Sequence, residues 1–191
     1  MLRIALALTT LLFAMNATAA DGAKKIDFNF HEADLSKVIN EYAKVSGQKF
    51  VVDPNVRGKI SLINNEPVTV TEAFNQLSSG LAVNGLAISK QDDVMVISAA
   101  RNIQRNLLDV STELPPLRPE KMQTLVINLK YSSADELNKQ LRILTSKDGE
   151  LVPVTRTNQL IVTDWVSNLY RVQKLVKEID IDIKKPASKT H

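Results

Sequence analysis

Apolar residues fall in two clusters along the chain, and a stretch holding Pro115, Pro116 and Pro119 lies between them. In the first cluster Ile26, Phe28 and Phe30 alternate with Asp27 and Asn29, which predicts a half-buried strand. Asp34 follows at a helix N-cap position, and Leu35, Val38, Ile39, Tyr42 and Ala43 share one face of the helix it opens. Gly47 stands where that helix needs a left-handed C-cap. Phe50–Val52 and Lys59–Ile63 read as strands separated by an abrupt turn. Asp53-Pro54 stops the first of them, since proline fixes φ and has no N–H to donate, and Gly58 frees the backbone just before the second. Thr69-x-x-Glu72 is a capping box, in which hydroxyl and carboxylate each take a free backbone N–H. Val70, Ala73, Phe74, Leu77 and Leu81 form the apolar stripe of the helix it starts, with Phe74 and Leu77 expected in the core. Leu86–Ser89 and Val94–Ser98 then pair across the polar cluster Gln91-Asp92-Asp93. The predicted order is βαββαββ.

The second cluster begins with Leu125, Ile127 and Leu129 alternating as a strand. Ser133-x-x-Glu136 is a second capping box, ahead of the stripe Ala134, Leu137, Leu141 and Leu144. Asp148-Gly149 marks a turn, and Leu151–Val154 and Leu160–Val162 read as strands joined at Arg156-Thr157-Asn158-Gln159. Asp164 is placed to cap a last helix whose buried face is Leu169, Val172, Leu175, Val176 and Ile179, with Trp165 in its first turn. This order is βαββα. The fold class is therefore α+β: two small modules, 26–98 and 122–181, joined by a proline-containing linker over 99–121, with a basic tail over 182–191.

The first twenty residues carry a different signal. Arg3 gives a positive start, Ile4 to Met15 is an apolar run of 12 residues, and Ala17-Thr18-Ala19 has the small-x-small pattern of a cleavage site. An export signal over 1–20, cut after Ala19 or Ala20, is the expectation; an uncleaved anchor is the alternative, disfavoured because the run is short for a bilayer. The chain has no cysteine, which excludes disulfides and thiol-linked lipid. The net charge of +3 is unevenly distributed. Residues 26–98 hold six basic and nine acidic side chains, a net of −3, whereas 122–181 hold eight and seven, a net of +1. No folded segment is strongly basic, so nucleic acid is not an expected partner.

Catalytic chemistry finds little support. His31 and His191 are the two histidines, and His31 has no second histidine or cysteine at ligand spacing. A Ser-His-Asp site is open by sequence order, but no Gly-x-Ser-x-Gly elbow is present. Asp92-Asp93 offers too few oxygens for a hard cation, and no glycine-rich phosphate loop occurs. The expectation is no catalytic residue, no cofactor, no metal and no small-molecule substrate. Trp165 reads as a packing residue rather than a binding platform.

The motifs carry a resemblance. Phe28-x-Phe30 before Ala33-Asp34-Leu35, the run Val51-Val52-Asp53-Pro54-Asn55-Val56-Arg57-Gly58-Lys59-Ile60, and the helix from Thr69 leading to Gly85-Leu86 resemble the amino-terminal periplasmic module of bacterial secretins, the outer-membrane channels of type II secretion and type IV pilus systems. The first module is also similar to the signalling domain of some TonB-dependent receptors. Leu129 to Leu137 and Thr157 to Asp164 resemble the small repeated secretin module that follows. Its βαββα order is also that of KH-type RNA-binding domains, but their Gly-x-x-Gly loop is absent. The resemblance implies a periplasmic, non-catalytic interaction subunit of a secretin-type machine, possessing no channel-forming domain because the chain stops at His191. Implied partners are secretin ring subunits or an inner-membrane secretion component, with self-association as a further possibility. An independent periplasmic signalling or peptide-binding module is the alternative. The expected partner-binding residues are Val51, Val52, Asn55, Val56 and Arg57, on an open sheet edge and the turn that ends it.

Overall fold

The computed structural model describes residues 24–106 and 108–182. The expected export signal and all of the expected tail except Asp182 lie outside the described residues.

The first module runs through β1 (Lys25–Ile26), β2 (Phe30–Asp34), α1 (Leu35–Ser46), β3 (Lys49–Val52), β4 (Lys59–Leu62), β5 (Val68–Thr69), α2 (Val70–Val83), β6 (Leu86–Gln91) and β7 (Val94–Ala99). The strand expected over Ile26–Phe30 is split. Ile26 pairs with Val68 of β5, whereas Phe30 pairs with Leu62 of β4, so the chain passes from one strand pair to another. Phe28, at the crossing, is 2% exposed. Its ring meets those of Phe30 and Tyr42 edge-on at 5.0 and 6.1 Å, the geometry that aromatic quadrupoles favour. Strands β3, β7 and β6 form a separate sheet in that order, with β3 parallel and β6 antiparallel to β7.

Helices α1 and α2 pack together, and Leu35, Val38, Ile39, Tyr42, Leu77 and Leu81 form the centre of one core with Phe28 and Ile97. Phe74 is only half-buried, beside Tyr42 at 5.6 Å, so Leu77, fully buried, is the deeper anchor of the α2 stripe. The Thr69–Glu72 capping box is formed. Gly47 ends α1 at φ 71, a left-handed conformation that glycine adopts without strain. Asp34 occupies the N-cap position of α1 but makes no capping bond through its side chain.

The second module contains β8 (Val110–Ser111), β9 (Met122–Asn128), α4 (Ala134–Leu141), β10 (Glu150–Val154), β11 (Gln159–Trp165) and α5 (Val166–Ile179), preceded by α3 (Ala100–Asn106). Its sheet has the order β10-β11-β9-β8. Leu125 and Ile127 of β9, with Leu160 and Val162 of β11, meet Leu137 of α4 and Leu169 of α5 in one core. Three expectations need correction. Ser133 makes no side-chain capping bond, so the second capping box does not form. Asp164 belongs to β11 rather than to a helix cap, and α5 starts two residues later. Trp165 is the last strand residue, not part of the helix.

The stretch expected as a linker is in part structured. Ala100 and Ile103 of α3 pack with Ala87 of the first module and with Met122 and Trp165 of the second. Strand β8 pairs in parallel with β9, and Leu114 packs on the second core. Apolar residues within the stretch thus find partners on both sides, and the prolines begin only after β8.

Candidate functional site

The edge expected to bind a partner is built by β3 and the turn after it. β3 pairs with β7 from Lys49↔Val94 to Val52↔Ile97, and Asp53 N–H extends the ladder by donating to Ile97 O at 2.9 Å. Its other side pairs with no strand among the described residues. Val51 and Val52 are 53% and 38% exposed there, unusual for large apolar strand residues. The turn is held by Asp53, whose Oδ1 accepts from the backbone N–H of Asn55 at 2.8 Å and from its Nδ2 at 3.0 Å. Val56 N–H donates to Asp53 O at 2.9 Å. Such Asx turns need a short acceptor at the first position, which Asp53 supplies while Pro54 presets φ.

Four of the five expected residues, Val51, Val52, Asn55 and Arg57, are exposed along this edge and turn. Val56 differs: it is half-buried and packs against the first core. The turn ends at Gly58, φ 140, whose carbonyl accepts from Leu35 N–H at 3.0 Å and so ties the turn to the start of α1. That φ is a conformation residues with a Cβ rarely adopt, which is what calls for glycine here; a Cβ would in addition press on Asn84 Oδ1 at 2.7 Å. A shallow depression of about 250 Å³ lies between Asp34, Ser36, Val56 and Arg57. Arg57 makes no salt bridge among the described residues.

The residues weighed for chemistry are scattered. His31 is exposed in β2. Asp92 and Asp93 form the exposed hairpin turn, where Asp93 pairs with Lys49. Among the described residues no three His, Cys, Asp or Glu side chains converge as a metal site would need. Trp165 is buried between the modules.

Polar side chains from distant sequence positions fix the second module, and sequence reading misses them. Asp180 follows α5, and its carboxylate accepts from the backbone N–H groups of Lys130, Tyr131 and Ser132, each at 2.7 Å. Burial acts to raise the Asp180 carboxyl, but these three N–H groups outweigh it and hold the group below its ordinary value. Asn158, left-handed at φ 51, takes Ala134 N–H on Oδ1 at 2.9 Å and donates from Nδ2 to Ser132 O at 3.0 Å. Asparagine tolerates that conformation, and its place in a turn before an apolar strand was the available signal. Asp164, fully buried, accepts from Ser146 N–H, Trp165 N–H and Asn168 Nδ2.

Comparison with known proteins matches both modules. Residues 28–97 fit the family model of the GspD-like N0 domain, and residues 124–185 that of the bacterial type II/III secretion system short domain. The chain belongs to the bacterial secretin family. Secretin XcpQ of Pseudomonas aeruginosa is 26% identical over 152 residues, covering 80% of this chain and 22% of XcpQ. Secretin ExeD of Aeromonas hydrophila is 24% identical over 176 residues, 91% of this chain and 26% of ExeD. The type IV pilus biogenesis and competence protein PilQ of Neisseria meningitidis is 24% identical over 180 residues, 87% of this chain and 23% of PilQ. The chain thus spans about a quarter of the length of the secretins it matches. The fold is shared with a chain in the Klebsiella pneumoniae type II secretion outer-membrane complex of PulD, PulS and the PulC HR domain, at TM-score 0.71 and 21% identity, covering 81% of this chain and 26% of that one. Both matched models describe small domains of bacterial secretion-system proteins, in keeping with the α+β modules seen here. Among the described residues no helix is long and apolar enough to cross a membrane.

Proposed function

We propose that these modules are a non-catalytic protein–protein interaction portion of a secretin-type secretion or pilus machine, exported to the periplasm and held at the outer-membrane assembly. The observation that carries this reading is the open edge of β3, with Val51 and Val52 exposed beside it. An unpaired strand edge offers a row of N–H and C=O groups, and an added strand satisfies them while neighbouring apolar side chains lose water. Arg57, exposed and without an ion pair among the described residues, supplies a charged contact at the rim. The partner is a neighbouring secretin ring subunit or an inner-membrane secretion component. The Klebsiella pneumoniae complex, in which PulD stands with PulS and the PulC HR domain, supports a partner drawn from the secretion machine.

The test is capture from envelope extracts on immobilised chain. The native sequence retains a secretin or an inner-membrane secretion protein. Val51→Asp and Arg57→Glu abolish retention with an unchanged melting midpoint, while Lys189→Glu in the carboxy-terminal segment leaves it intact. Full retention by both edge variants removes β3 as the docking edge. Val56 is left unaltered, because its packing on the core would confuse folding with binding.

A further inference from the structure

The sheet of the second module has two edges that differ in what they offer. On β10, pairing with β11 engages Glu150, Val152 and Val154 through their main chain, so by strand alternation it is the main-chain groups of Leu151 and Pro153 that point to the open edge. Pro153 has no N–H, so this edge is blunted in a manner common to protected strands. On β9, the even-numbered residues face the other edge. Thr124 N–H reaches Asp109 O at 3.2 Å, and Lys130 N–H reaches Asp180 at 2.7 Å. Between them, β8 covers β9 only as far as Ser111↔Leu125. Asn128 therefore turns its backbone into an open cleft of about 330 Å³ between β9 and α5, with no strand beside it among the described residues.

The cleft is positively charged. Lys130 and Lys177 line it, and Lys174 and Arg171 continue the exposed row along α5 beside Leu114 and Tyr170. None of the four cations has an ion pair among the described residues. Asp180, the acidic side chain lining the cleft, is turned onto the backbone N–H groups of Lys130, Tyr131 and Ser132 and makes no ion pair with these cations among the described residues. The carboxy-terminal segment has the wrong sign to fill the cleft, since it carries Lys184, Lys185 and Lys189. We propose that this cleft binds an extended acidic segment of a partner protein, which adds as a short strand at Asn128 and places carboxylates against Lys130, Lys174 and Lys177. Backbone pairing fixes the register and the lysines select the charge. The site is separate from the β3 edge and stands or falls independently of it.

The probe is a fluorescein-labelled eight-residue peptide alternating valine and glutamate, with a valine–lysine peptide of the same length as control. Anisotropy is expected to report binding of the acidic peptide alone, weakening with added salt. Lys174→Glu together with Lys177→Glu, both on the exposed face of α5, lowers the affinity about tenfold or more. Amide-resolved hydrogen exchange adds the decisive reading: the Asn128 amide becomes protected when the peptide binds. Binding without that protection reduces the contact to surface charge and overturns the strand site. Equal binding of the two peptides, or none, overturns the proposal, as does finding that the charge reversals disrupt self-association of the chain while leaving peptide affinity unchanged.

Discussion

Both modules contain a Ser/Thr-x-x-Glu motif at the start of a helix, and the two motifs end differently. In the first, Glu72 N–H donates to Thr69 Oγ1 at 3.2 Å, and Thr69 N–H donates to Glu72 Oε2 at 2.8 Å, so two residues three apart close the start of α2. In the second, Ser133 makes no such bond; Ala134 N–H goes instead to Asn158, twenty-four residues away, and the turn before it goes to Asp180. The first module finishes this helix start with local chemistry. The second finishes its own with side chains that arrive only when β11 and α5 have docked. A free backbone N–H is satisfied by whichever acceptor is held nearest, and in the second module the packed fold holds competing acceptors in place.

The largest expected effects test whether the two cores are equals beneath this difference. Leu77 and Leu160 are both fully buried, one in each core. Leu77→Ala and Leu160→Ala should each cost about 3 kcal/mol, the lost transfer energy plus the cavity left behind. Urea titration with probes in each module measures this. A loss below about 1 kcal/mol at either position would mean that module has collapsed around the cavity and that its core is looser than the other.

Much of this architecture was legible in the sequence, and the reason lies in range. The helices α1, α2 and α5 follow from apolar spacing, and Gly47 and the Thr69–Glu72 box act within one turn. The split at Phe28 was not legible, because alternation over Ile26–Phe30 is the same whether one strand or two use it. The role of α3 was hidden for a similar reason: Ala100 and Ile103 are too few apolar residues to declare a helix, and they are buried only because Trp165 and Met122 arrive from elsewhere. Of the proposed docking residues, the sequence placed Val51 and Arg57 on an exposed edge but could not tell that Val56 turns inward.

A middle-sized effect probes the long-range closure. Asp180→Asn keeps one oxygen but sets an NH₂ group against backbone donors, and should cost about 2 kcal/mol at neutral pH. The sign of its pH dependence follows from the carboxyl being held below its ordinary value of 3.8. The stabilisation is fully present above that unfolded value and is lost as pH falls through the lower folded one. Melting midpoints of native chain and variant should therefore be well separated at pH 7 and converge as pH falls below 3.8 and through the lower folded value. A separation that persists undiminished into acid would show that Asp180 acts by packing, and would remove the contrast between local and distant closure.

The smallest effect is the sharpest test of the comparison, because it makes the same change in the same motif twice. Thr69→Ala removes a hydroxyl that accepts Glu72 N–H and also donates to its carboxylate at 2.9 Å, and should cost about 1 kcal/mol. Ser133→Ala removes a hydroxyl that is exposed and makes no capping bond, and should cost less than about 0.5 kcal/mol. Alanine at either position stays in the extended conformation the cap already has, so backbone strain does not enter. Denaturant midpoints resolve the difference when both variants are measured against the native chain in one buffer. Equal losses would mean that Ser133 caps α4 in solution and that Asn158 merely assists. A loss at Ser133 exceeding that at Thr69 would invert the comparison and make the second module the one closed by its own sequence neighbours.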